Sequence, residues 1–144
     1  MKIYIAAPYA ARDDLKAGLV PFLMNDGHEI TSSWLWGSHA ITQGTVNAAP
    51  AHTDEHIMEQ TAQDLTDIDT CDVLVLLTSH WITSHYELKK DQTTSGGRHF
   101  ESGYAWARNK RIITLGEPEN IFQRCTKVVA SLEELTLALQ PTLF

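Results

Sequence analysis

The stretch "DVLVLLT", residues 72–78, decides the fold. Behind one acid it runs through five aliphatic residues with no alternation of apolar and polar positions. A strand written this way buries both faces, which is the situation of a central strand in a parallel sheet covered by helices on each side. Working outward, "KIYIA" (2–6) predicts another buried strand, ended by Pro8, and "RIITL" (111–115) a third. "HEITSS" (28–33) and "KVVA" (127–130) complete a set of five strands. Between them lie helical patterns. "ARDDLKAGLVPFLMNDG" (11–27) places Leu15, Leu19, Phe22 and Leu23 on one face and Asp13 and Asp14 at its positive end, with Pro21 as a break or bend and Gly27 as the stop. "TDEHIMEQTAQDLTDIDTC" (53–71) takes Thr53 as N-cap and carries Ile57, Ala62, Leu65 and Ile68 as most of its apolar stripe. A helix at about 98–109 has Phe100, Tyr104 and Ala107 as its apolar face. A helical turn at "EPENIF" (117–122) and a last helix at "SLEELTLALQ" (131–140) follow.

Strands alternating with helices specify an α/β domain: a doubly wound, flavodoxin-like or Rossmann-like five-stranded parallel sheet with helices on both faces. The expected strand order is 2-1-3-4-5, in a single domain spanning 1–144. Such sheets bind ligands outside the carboxyl ends of their strands. Two long segments without a clear period, 34–52 and 79–97, emerge at that edge and are the candidate site loops.

Composition narrows the partners. Hydrophobic residues make up 43% of the chain, enough for a real core, and the net charge is −7 with no basic cluster longer than two residues. Polymeric nucleic acid is therefore not an expected partner, whereas a small nucleotide needs only one or two local donors. Cys71 and Cys125 are isolated thiols and form no disulfide framework. The opening "MKIYIAAPYA" is too short in its apolar run for a signal peptide or a membrane span, so a cytoplasmic location is expected.

One acid stands out. In "SGGRHFESGYAWA" (95–107), Glu101 sits early in a helix that two glycines introduce. Either it complements the helix dipole, or it does chemistry. The position three residues before it is Arg98, not the Ser or Thr of a capping box. At a helix start with free backbone N–H groups such a carboxylate is expected to keep a low pKa and remain ionised, suiting a nucleophile better than an acid. Asp64, Asp67 and Asp69 lie late in the preceding helix, where acids oppose the dipole, and as sequence alone they resemble surface residues.

The residues do resemble a known family, the nucleoside 2-deoxyribosyltransferases together with the related 2′-deoxynucleoside 5′-monophosphate N-glycosidases. "IYIAAP" looks like the family's first strand, "QDLTDIDTCDVLVLL" like its Asp-Leu helix and following strand, and "GGRHFESGYAWARNKRIITL" like its Gly-x-x-x-Glu-x-Gly-x-Ala helix and next strand. The resemblance implies Glu101 as nucleophile toward C1′ of the sugar, Asp64 as the group that protonates the departing base, and Tyr4 as the residue that orients Glu101. It further implies a base-contacting Asp before the glutamate motif, for which Asp91 is the candidate, and a homodimer or larger homo-oligomer. No cofactor and no metal are implied. Gly103, which costs helix stability by roughly 1 kcal/mol against Ala, is expected to let the helix pack closely on the sheet. Ser102 stands where the family often has an apolar residue, with no physical reason evident.

The resemblance implies a small nucleoside or nucleotide as substrate. Gly97 and Arg98 in "SGGRH", with Arg12 in "PYAAR", are either donors to a 5′-phosphate or, for the arginines, solvated surface groups. Trp34 and Trp36, two apart on an extended segment, would point the same way and stack a base, or belong to the core or a subunit contact. His52 and His56 are four apart but lack a third metal ligand at sensible spacing. Sugar transfer between bases is the first expectation, hydrolysis of the monophosphate the alternative, and a non-catalytic nucleotide-binding module the rival from another class.

Overall fold

A computed structural model of the chain describes residues 1–37, 54–94 and 96–141. Five strands, β1 (Lys2–Ala6), β2 (Glu29–Ile30), β3 (Val73–Leu77), β4 (Arg111–Leu115) and β5 (Lys127–Val129), form one sheet in the order β2-β1-β3-β4-β5. Every pairing is parallel, with Tyr4 beside Leu74 and Leu74 beside Ile112. This is the doubly wound arrangement expected from the alternation of elements. All five residues of β3 are buried, as its unbroken aliphatic run requires, while the edge strands β2 and β5 are largely exposed. Among the described residues no helix is long and apolar enough to cross a membrane.

Among the described residues six α-helices surround the sheet: α1 (Arg12–Ala17), α2 (Leu19–Asn25), α3 (Asp54–Thr70), α4 (Ser79–His85), α5 (Gly97–Ala107) and α6 (Leu132–Leu139). The segment expected as one helix over 11–27 is two, meeting at Gly18. The break lies upstream of Pro21 because its ring would clash with the carbonyl of Ala17, where α1 stops; in α2 the proline falls in the first turn, where its missing N–H costs nothing. The second strand is shorter than 28–33. Ser32 turns inward and its Oγ accepts the Ile5 N–H at 3.1 Å, so a side chain takes over the ladder and the backbone is free to enter a 3-10 turn at Ser33–Leu35.

The segment 79–97, expected as a loop, contains α4 and a 3-10 turn at Lys90–Thr93. Thr78 caps α4 by accepting the Trp81 N–H at 3.3 Å, and Trp81 and Ile82 anchor it in the core. The helical turn expected at 117–122 lies slightly later, at Gln123–Cys125. The Thr53 cap, His52 and most of the 34–52 segment lie outside the described residues.

Gly116 ends β4 at φ +111°, and a Cβ there would stand 2.2 Å from Thr78 Oγ1 and 2.8 Å from Trp81 Cβ. Gly116→Ala is predicted to destabilise the protein by about 3 kcal/mol, combining a backbone conformation side chains avoid with a collision against the α4 cap. Urea unfolding measures it, and a loss below roughly 0.5 kcal/mol contradicts the packing described.

Candidate active site

Tyr4 is the third residue of β1, is fully buried, and points its hydroxyl at the carboxylate of Glu101 on α5, to which it donates a hydrogen bond. Asp64 projects from α3 into the same cleft, its Oδ1 accepting the Gln60 Nε2–H at 2.9 Å. The cleft measures about 310 Å³ and opens where β1 and β3 give way to their loops, with Tyr9, Trp34, Phe100 and Leu65 in its walls. That volume is at the lower end of small-molecule sites. Two further clefts flank α5: a polar one of about 630 Å³ beside Glu117 and Glu119, and a mostly apolar one of about 370 Å³ that holds no carboxylate.

The electrostatics differ from the expectation. Burial pushes the Glu101 pKa up to about 8; the Tyr4 hydrogen bond opposes this and the Asp64 charge adds to it. Burial likewise lifts Asp64 to about 6, against the Gln60 hydrogen bond and helped by the Asp67 charge. Tyr4 is raised by burial and by the Glu101 and Asp64 charges, so it stays a neutral donor. The low pKa expected for Glu101 from its place near a helix start is therefore corrected. Desolvation and a second carboxylate outweigh a helix-terminal field that fades within a turn.

The helix is also rotated from its expected face. The buried side of α5 carries Arg98, Glu101 and Ala105, whereas Phe100 and Trp106 are 61% and 59% exposed and Ala107 is exposed. Of the expected apolar face, Phe100 and Ala107 thus point outward, while Tyr104 is half-buried against the core. On α3 the same happened to Ala62, which is exposed, while Gln60, Asp67 and Ile68 are buried. Nothing lies within 4 Å of a Cβ built on Gly103, so this glycine does not serve close packing on the sheet; it borders the apolar cleft. Ser102 bonds back to the His99 carbonyl at 3.0 Å.

The remaining candidates divide. Gly97 and Trp34 line the cleft. Trp34 is 5% exposed and spends its indole N–H on the Ile5 carbonyl at 2.9 Å. Trp36 is 55% exposed and outside the cleft, because the 3-10 turn sends the two indoles apart where an extended segment would have aligned them. Arg98 borders the cleft and is 3% exposed, its guanidinium 2.9 Å from Glu119 Oε2, which corrects the alternative reading of it as a solvated surface group. Arg12 lies over the Tyr9 ring at 4.5 Å and donates to the Gly37 carbonyl. Asp91 is exposed on the 3-10 turn and is not part of the cleft.

Asp67, which as sequence resembles a surface residue, is 8% exposed, and Gln60 was not singled out; both matter locally. Asp67 Oδ2 accepts from Ser33 N at 3.0 Å and Ser33 Oγ at 2.5 Å, fastening the Trp34 turn to α3. Its spacing of three from Asp64 was the available signal, since it puts both acids on one helix face. Gln60, four before Asp64, was equally legible by the same rule.

A raised carboxyl pKa fixes a sign for stability against pH. Between roughly 4.5 and about 8 the folded protein keeps a proton on Glu101 that the unfolded chain has released. Stability is thus highest, as far as this group is concerned, below the lower value and falls as pH rises through the upper one. The predicted loss is on the order of a few kcal/mol. Melting temperatures of wild type and Glu101→Gln at pH 5.5 and 8.5 isolate it: the wild type shows the steeper decline, the variant only the smaller one from Asp64, and equal slopes contradict the burial.

No family model and no curated protein matches the chain. Solved structures do. A 2-deoxyribosyltransferase from Bacillus psychrosaccharolyticus superposes with a TM-score of 0.62 at 17% identity, over 94% of this chain and 90% of that one. The chain shares its fold. A CMP N-glycosidase from Clostridium botulinum superposes with a TM-score of 0.53 at 18% identity, over 96% of this chain and 98% of that one.

Proposed function

We propose that the protein is a nucleoside 2-deoxyribosyltransferase-like enzyme that cleaves the N-glycosidic bond of a 2′-deoxynucleoside and passes the sugar to another base. The observation that carries this is the Tyr4 hydroxyl bonded to Glu101 with Asp64 in the same cleft. Glu101 attacks C1′ as the bond to the base breaks, its electron pair leaving with the base nitrogen, which takes a proton from Asp64. An ester between Glu101 and the sugar results. A second base then attacks C1′, returns the electrons to Glu101, and gives up a proton to Asp64. Trp34, Tyr9 and Phe100 offer the aromatic surfaces that hold a base.

The proton inventory suits this. With apparent values of about 6 and about 8, the two carboxyls together hold one proton near neutral pH. Attack needs that proton on Asp64 and not on Glu101; the Tyr4 hydroxyl favours that arrangement, as does positive charge developing on the sugar. A bell-shaped dependence of kcat/KM with limits near 6 and 8 is predicted. A rate flat from pH 5 to 9 contradicts the pairing.

Hydrolysis of a monophosphate is the second reading, supported by the likeness to a CMP N-glycosidase. The uncharged nucleoside is preferred because Arg98 and Arg12 are occupied by Glu119 and by Tyr9 and Gly37. Incubation with deoxynucleosides and their monophosphates, with and without an acceptor base, separates the two by chromatography. Exchange that needs the acceptor supports transfer, free base without an acceptor supports hydrolysis, and no product from any substrate leaves only a binding module. The exposed Phe100 and Trp106 support a homo-oligomer, which sedimentation checks.

A further inference from the structure

We propose that Glu119, on the connection between β4 and β5, is a positioning residue for Glu101 and acts through Arg98. The inference rests on the reading of Glu101 as nucleophile. Arg98 and Glu101 are three apart on α5 and share its buried face. Arg98 is 3% exposed, a state arginine adopts only when paired. Its Nη1 donates to the Thr93 carbonyl at 2.6 Å, and its Nη2 lies 2.9 Å from Ser79 Oγ and 3.1 and 2.9 Å from the two Glu119 oxygens. Glu119 also accepts the Ser79 N–H at 2.9 Å and hydroxyl at 3.0 Å. It is itself held, its N–H donating to Gln123 Oε1 at 2.6 Å. The start of α5 is thereby tied to the start of α4, to the 3-10 turn and to the loop after β4.

The helix start needs that tie. Among the described residues no side chain caps α5, and around Gly96 and Gly97 nothing lies within 4 Å of where a Cβ would be. Glycines there restrain the backbone weakly. The ion pair one turn before Glu101 adds a fixed point at this end of the helix, beside the packing of α5 on α3 and on the sheet. Glu119 borders the neighbouring polar cleft and not the one holding Glu101, so substitutions at Glu119 act at a distance, which those at Arg98 do not.

The test uses the full chain carrying Glu119→Ala and Glu119→Gln. Each is examined by melting, by carboxyl NMR titration of Glu101, and by kcat and KM on a deoxynucleoside. The groups facing Glu101 in that titration are Tyr4 from β1 and Asp64 from α3, while the Arg98 guanidinium on its own helix is turned to Glu119. Glu119→Ala is expected to lower kcat about 100-fold with KM within about threefold, the cost of a displacement near 1 Å. Its Glu101 titration moves down toward the ordinary carboxylate range as water enters. Glu119→Gln keeps an acceptor for Ser79 and for Arg98 and falls between. A folded Glu119→Ala protein with unchanged kcat and an unmoved Glu101 titration overturns the proposal. If the alanine variant does not fold, the same two readouts on Glu119→Gln decide. If the wild type turns over no nucleoside, the functional reading fails, while an unmoved or shifted titration still judges the coupling.

Discussion

Glu101→Gln is expected to lower kcat by about 10⁴-fold or more while leaving the protein folded. The amide matches the carboxyl in shape and can still accept the Tyr4 hydrogen bond, so the constellation survives without a nucleophile. Removing a carboxyl that burial holds at about 8 also removes the cost of ionising it, and the variant melts no lower than wild type above neutral pH. Loss of rate without loss of stability is the signature that separates a chemical role from a structural one. A variant that retains full rate contradicts the mechanism, and one that unfolds shows that the carboxylate serves the core instead.

The second large effect is at Asp64. Asp64→Asn is expected to cost about 10²–10⁴-fold in kcat on ordinary deoxynucleosides, the usual yield of a positioned general acid. The loss depends on the leaving group. An N7-methylated purine deoxynucleoside carries a positive base that departs neutral without taking a proton. On that substrate the variant is expected to approach the wild-type rate. Equal losses on both substrates contradict the acid role and leave Asp64 as a charge partner of Glu101 alone. The basic limb of the wild-type pH profile is expected to vanish in the variant, because that limb reports the proton Asp64 must hold.

Much of the fold was legible because its strands are written as uninterrupted apolar runs. β3 has no polar position to misassign, and β1 and β4, though each opens on an exposed charged residue, are buried from their second residue on. α4 was not legible: its Ser, Thr and His residues read as loop, and the capping by Thr78 and the burial of Trp81 and Ile82 depend on partners brought in by the sheet. The positions of Tyr4, Asp64 and Glu101 could be singled out in sequence by the resemblance of their motifs. Their electrostatics could not, since burial of Glu101 comes from β1 and α3, distant in the chain. Arg98 was misread for a related reason. Nothing local marks Glu119 as its partner, and the apolar face of Phe100, Tyr104 and Ala107 made the polar side of α5 look like its outer side. Trp36 failed through one turn, where Ser32 and Asp67 convert an extended segment into 3-10 geometry.

The most direct measurement is mass spectrometry of the protein mixed with a 2′-deoxynucleoside, quenched in acid and digested. The predicted result is one added deoxyribosyl group, carried on the peptide containing Glu101 and absent from the Glu101→Gln protein. Base release with no adduct on that peptide, or an adduct that persists in Glu101→Gln, contradicts a glutamyl-sugar intermediate at this residue.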